Sequence, residues 1–174
     1  MKQLLVLVLL ATMLGGCSKP KPAVDIWAAA GAGNLEAIKQ NLAVGVLVDA
    51  REPAGGSTPL IVAALFGRTE SAALLLQKGA KIDARKNDGA TALHVAAFFC
   101  QPDTAQLLLD KGADVTAKNN SGATPLDLVS GEFTPELQNV YVYLAGYLHM
   151  PLDLEAIKRG RPEMAQRLRN ASGK

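Results

Sequence analysis

A chain of 174 residues fits one domain of ordinary size, and an apolar share of 49% is enough to build its core. Aromatics make up only 5%, so that core must come from Ala, Leu and Val, which suits closely packed small helices. Eighteen basic and sixteen acidic residues leave a net charge of +2, with no basic run longer than Lys158-Arg159, which excludes a nucleic-acid or polyanion partner held by charge.

The first element is an address. Met1-Lys2-Gln3 carries one positive charge, and Leu4 to Leu14 is an 11-residue run with Thr12 its only polar member. A span needs about 20 apolar residues, so the run is too short to cross a bilayer but has the length of a secretory h-region. It ends in Leu14-Gly15-Gly16-Cys17. These four residues resemble the lipobox of bacterial lipoproteins: one aliphatic residue, two small ones, then cysteine. The resemblance implies a diacylglyceryl thioether on Cys17, cleavage before it, and a further acyl chain such as palmitate on the new amine. The alternative is an ordinary signal peptide with an incidental cysteine; agreement at all four positions favours the lipobox. Two or three acyl chains anchor firmly, at about 0.8 kcal/mol per buried methylene. Ser18 stands where an Asp resembles an inner-membrane retention signal, so an outer-membrane location facing the periplasm is expected. Ser18-Lys19-Pro20-Lys21-Pro22 reads as a short extended spacer.

Beyond the spacer the chain repeats itself. Thr58-Pro59-Leu60, Thr91-Ala92-Leu93 and Thr124-Pro125-Leu126 stand 33 residues apart. Ala63-Ala64 recurs as Ala96-Ala97, Leu74 to Leu76 as Leu107 to Leu109, and Gly79-Ala80 as Gly112-Ala113. One unit is legible physically. Thr58 caps a helix whose first position is Pro59, where the missing N–H costs nothing. Ala63 and Ala64 let a neighbour approach. Gly67 breaks that helix, a second runs from about Glu70 to Lys78, and Gly79 ends it. Lys81 to Ala90 then projects as a hairpin-like finger turned by Asn87-Asp88-Gly89. No unit can bury its apolar face alone, so the units must stack.

The pattern resembles the ankyrin repeat, with its Thr-Pro-Leu-His box, Ala pair, Gly, Leu run and Gly-Ala, over about Asp25 to Val129. The fold expected is an all-α solenoid of stacked helix-turn-helix units with short hairpin fingers. Ala29-Ala30 and Gly33-Asn34 mark a first unit that lacks the box. The structural residues are Thr58, Pro59, Gly67, Gly79, Thr91, His94, Gly112, Thr124 and Pro125. Among them His94 resembles the family's histidine that hydrogen-bonds the backbone of the finger. Cys100 replaces a turn glycine, so that turn is expected to form another way, and the first finger carries an extra residue within Glu52 to Gly56 that should make it more mobile. After Val129 the pattern fades. Leu137, Val140, Tyr141, Leu144 and Leu148 follow at helical spacing, and Leu154 to Lys158 repeats Leu35 to Lys39.

The expected organisation is a signal peptide over 1–16, a lipidated N-terminus and spacer over 17–23, and a capping unit over 24–49. Repeats follow over 50–82 and 83–115, then a divergent repeat over 116–148 and capping helices over 149–174. The resemblance places partner binding on finger tips and first helices. It carries over to Leu65, Phe66, Phe98 and Phe99 as an exposed apolar patch, the alternative being that one of each pair turns inward and packs, and to Arg51, Arg85, Asn87, Asp88, Lys118 and Asn120 as a polar rim, the alternative being plain solvated turns. No phosphate loop, paired histidines, Ser-His-Asp order or Cys-x-x-Cys occurs, so neither an enzyme nor a metal or cofactor is expected. The expected protein is a monomeric, membrane-anchored periplasmic lipoprotein binding a protein partner, as adaptor, inhibitor or immunity protein. The alternative is an envelope scaffold or stress-protection lipoprotein without one tight partner.

Overall fold

The computed structural model describes residues 22–148 and 150–173. The signal segment and Cys17 lie outside the described residues. Helices are short because caps and turns punctuate them. In the first unit Asp25 accepts the Ala28 amide at 2.7 Å and starts α1 (Ile26–Ala32), which Gly33 ends at φ 79° before α2 (Leu35–Ala43). Thr58 and Pro59 start α3 (Pro59–Leu65); Gly67, at φ 61°, turns the chain into α4 (Thr69–Gln77). A capping box between Thr91 and His94 starts α5 (Ala92–Phe98), and α6 (Pro102–Asp110) follows. Three further helices complete the described chain: α7 (Asp127–Ser130), α8 (Pro135–Leu148) and α9 (Leu154–Ser172). No strand occurs among the described residues.

The helices form two layers. First helices stack in the order α1, α3, α5, α7, and second helices in the order α2, α4, α6, α9. The alanine pairs Ala29-Ala30, Ala63-Ala64 and Ala96-Ala97 are fully buried between first helices, where any longer side chain would force them apart. In the second layer Ile38, Leu75, Leu108 and Leu168 are fully buried, each stabilising the stack by roughly 1.5–3 kcal/mol.

Two features depart from the sequence reading. At the third turn the backbone does not find another route: Cys100 itself takes the left-handed conformation, at φ 48°. The fourth unit is also divided. Its first helix is α7, but the helix stacked on α6 is α9, so the boundary falls differently from the expected 148/149 division. The buried trio Thr104, Ala105 and Leu108 returns as Met164, Ala165 and Leu168. That spacing is 60 residues where 33 separates Ser71, Ala72 and Leu75 from their counterparts, so 27 residues are inserted between the two helices. The inserted stretch carries α8. A 33-residue ruler misses this second helix, and α8 has helical spacing of its own, but Gly160-Arg161-Pro162-Glu163 echoes Gly67-Arg68-Thr69-Glu70 in the register the structure uses, as a divergent capping repeat would.

Candidate protein-binding surface

The fingers are joined into one edge by main-chain and side-chain hydrogen bonds. Each is a tight hairpin: Lys86 and Ala90 pair at 3.0 Å, and Asn119 and Ala123 at 2.9 Å. Neighbouring tips are then tied together, with the Asn87 amide donating to the Gly55 carbonyl and the Asn120 amide to the Asp88 carbonyl, both at 2.9 Å. The Asn120 side chain donates to the Asn87 carbonyl at 3.0 Å, and Arg51 to the Asn87 side-chain oxygen at 3.2 Å. Arg85 donates to the carbonyls of Gly89 and Lys118. The six polar residues expected to form a rim, Arg51, Arg85, Asn87, Asp88, Lys118 and Asn120, are all exposed and lie along this edge. Lys86 pairs with Asp88. Burial works to raise the Asp88 pKa, but Lys86 and the Ala90 amide together hold it below the ordinary value.

Sequence reasoning missed what fixes the bases of the fingers. The Asp49 carboxylate accepts the Lys81 amide at 3.0 Å, and that of Asp83 accepts the Asp114 amide at 3.0 Å. The signal was present as the recurring Asp-Ala-Arg at 49–51 and 83–85. The longer first finger is also held: Glu52 accepts the amides of Ala54 and Gly55, at 2.7 and 2.5 Å. Burial tends to raise its pKa, and these amide bonds outweigh that and lower it.

The structural residues sit where the helices start and stop. Thr58 accepts the Ile61 amide at 3.4 Å with Pro59 at the first helical position. Gly79 and Gly112 end their helices at φ 88° and 84°. Thr124 donates to Asp127 at 2.7 Å, and buried Pro125 leads into α7. His94 is fully buried. Its Nδ1 accepts the Thr91 amide at 3.2 Å, so the proton is on Nε2, which donates to the Ala123 carbonyl at 3.1 Å. Burial lowers its pKa against the opposing pull of that carbonyl. His94 thus links a helix start to the next finger as a neutral imidazole.

In the aromatic patch the structure takes the inward-packing alternative at one residue of the second pair. Leu65, Phe66 and Phe98 are half-buried, and Phe99 is buried. The chain covers Phe98 and Phe99 itself. Tyr141 of α8 is fully buried, stacks on Phe98 with ring centres 4.6 Å apart, meets Phe99 edge-on, and donates its hydroxyl to the Phe98 carbonyl at 2.6 Å. Phe133 also stacks on Tyr141, at 5.8 Å. Arg161 closes the cluster. It is 4% exposed and donates to the Leu128 and Gly131 carbonyls and to the Tyr141 hydroxyl, with no carboxylate among its partners. Burial pushes the Tyr141 hydroxyl up to about 12 although Arg161 pulls it down, and burial pushes the Cys100 thiol up to about 11. Neither group ionises near neutral pH. Between α8 and the fingers a cleft of about 400 Å³ remains, lined by Leu65, Phe98, Leu144, Tyr147 and the finger residues Glu52 and Asp88.

Among the described residues no three His, Cys, Asp or Glu side chains are grouped to hold a metal ion. No helix among them is long and apolar enough to cross a membrane.

No curated protein matches the chain. A family model described as ankyrin repeats in three copies matches residues 26–119, which is the stretch that builds the first three helix pairs and their fingers. With more than half its length so matched and its helices stacked in two layers behind a row of fingers, the chain belongs to the ankyrin-repeat family, whose modules serve protein–protein interaction.

Proposed function

We propose that this chain is a bacterial lipoprotein, anchored through acylated Cys17 and facing the periplasm, that binds a protein partner along its finger edge as an adaptor or an immunity-type inhibitor. One observation carries the binding part: six exposed polar side chains of both signs are lined up on a rigid edge whose tips are bonded to one another. Pre-ordered groups of this kind lose little conformational freedom when a partner docks. The half-covered aromatic cluster contributes through the cleft beside it, where Leu65 and Leu144 offer an apolar centre for a polar rim. Anchoring is supported by the four lipobox positions and by the short spacer after them. The outer membrane is supported by Ser18 in place of Asp.

The test is affinity capture from detergent-solubilised envelopes, comparing the parent chain with a variant carrying Asp88→Lys and Lys118→Glu. Both positions are exposed, and the Asp88 side chain bonds within its own finger, to Lys86 and the Ala90 amide, so an unchanged urea midpoint is required of the variant before capture is compared. A partner held by the parent and lost by the variant is the expected result. Capture that is identical for both removes the finger edge from the proposal. Mass measurement of the isolated protein tests the anchor separately.

A further inference from the structure

α8 presents a second surface. Six large apolar side chains are exposed among the described residues, and four lie on this helix: Val140, Val142, Tyr143 and Tyr147, at 46%, 54%, 71% and 64% exposure. From Leu137 to Leu148 the helix has no charged side chain. Val140, Tyr143 and Tyr147 are spaced to share one stripe, roughly opposite the buried Tyr141. The rings of Tyr143 and Tyr147 lie parallel, 6.4 Å apart. An apolar stripe of this density needs an occupant.

The geometry of attachment selects it. Cys17 precedes Pro22 by five residues, so the lipid is at most about 18 Å from the start of the described fold. The chain enters through Pro22–Asp25 into α1. The far end of α8 comes to the same corner: the Met150 amide bonds back to Ala145 at 3.1 Å, and Met150 and Leu152 share a cleft with Trp27 and Ala28 of α1. Tyrosine is the residue that places an apolar ring and a wet hydroxyl at the headgroup boundary. A helix with no charge along its outer stripe meets no Coulomb barrier there.

We propose that the outward stripe of α8 rests in the headgroup boundary of the membrane that holds Cys17, so that anchor and helix together fix the molecule's orientation. The inference rests on the anchored reading of Cys17. It is tested with the full acylated protein in phosphatidylethanolamine and phosphatidylglycerol vesicles, with and without bromine-labelled acyl chains. In a Trp27→Phe background a single indole is introduced by Tyr143→Trp, or by Gln77→Trp as an exposed position on the second-helix layer. The expected result is blue-shifted emission, lost with brominated lipid, for Tyr143→Trp and water-like, unquenched emission for Gln77→Trp. Water-like emission from Tyr143→Trp in protein of acylated mass overturns the inference and leaves the anchor standing. Equal quenching at both positions also overturns it. A blue shift without bromine quenching, growing with protein concentration, overturns it in favour of a second copy. Protein without acyl mass overturns the anchored reading itself.

Discussion

His94 shows how one buried side chain can make the whole stack sensitive to pH. Its imidazole is neutral in the fold, with its pKa held below the unfolded value of about 6.5 by burial. Below about pH 6.5 the unfolded chain takes up a proton that the native state refuses, so stability is full above that pH and falls as the pH drops through it. Urea unfolding of the parent between pH 7 and pH 5.5 should show this decline, and His94→Gln should flatten it while being less stable at pH 7. An unchanged slope would remove His94 as its cause. Glu52 and Asp88 have lowered pKa values and lose their contribution only at lower pH, so they do not mask the effect. Cys100 makes a different point. A non-glycine residue in the left-handed region carries a backbone penalty of roughly 1–2 kcal/mol. Cys100→Gly should therefore be more stable than Cys100→Ala by about 1 kcal/mol, since both lose the sulfur but only one relieves the backbone. Equal melting temperatures would contradict that account.

At the scale of elements, α8 is held mainly by Tyr141. Removing its hydroxyl leaves the Phe98 carbonyl without that donor and takes an acceptor from Arg161. Tyr141→Phe should lower the unfolding free energy by about 1–3 kcal/mol, and Tyr141→Ala by about 3–5 kcal/mol. A Tyr141→Phe variant as stable as the parent would mean that the ring alone holds the helix. The first helices of the first three units were legible in the sequence because local marks set them out: the caps Asp25, Thr58 and Thr91, an alanine pair in each, and the turn glycines Gly33 and Gly67. The position of α8 was not. Phe98 and Phe99 occupy first-helix positions whose exposure depends on what a distant segment does, and no pattern within 33 residues records that Tyr141 lies across them. The same holds for Arg161, which is buried by contacts to Leu128, Gly131 and Tyr141 rather than by any apolar periodicity. Polar residues on the fingers were identifiable from turn chemistry, but the bonds that join one finger to the next follow only from stacking.

The whole molecule depends on its last helix. α9 closes the open end of both layers by packing on α6 and α7, and it supplies the buried Ile157, Met164, Ala165 and Leu168. Ending the chain after Asp153 would remove these four and uncover Leu108 and Val129. At roughly 1.5–3 kcal/mol for each large apolar side chain, several kcal/mol would be lost. The truncated protein should unfold at markedly lower urea, and hydrogen exchange should rise first in α6 and α7; exchange that rises evenly along the chain would argue against unit-by-unit stacking.

The divided fourth unit also makes the fold modular in an unusual place. Its two helices meet whatever length of chain connects them, and doubling a flexible connection adds only about 0.6 kcal/mol of closure entropy. The 27-residue detour is therefore a cassette whose length can change, provided that Tyr141 keeps its place over Phe98 and beside Arg161. An architecture of this kind lets what lies over the cradle diversify rapidly while the stack beneath stays unchanged.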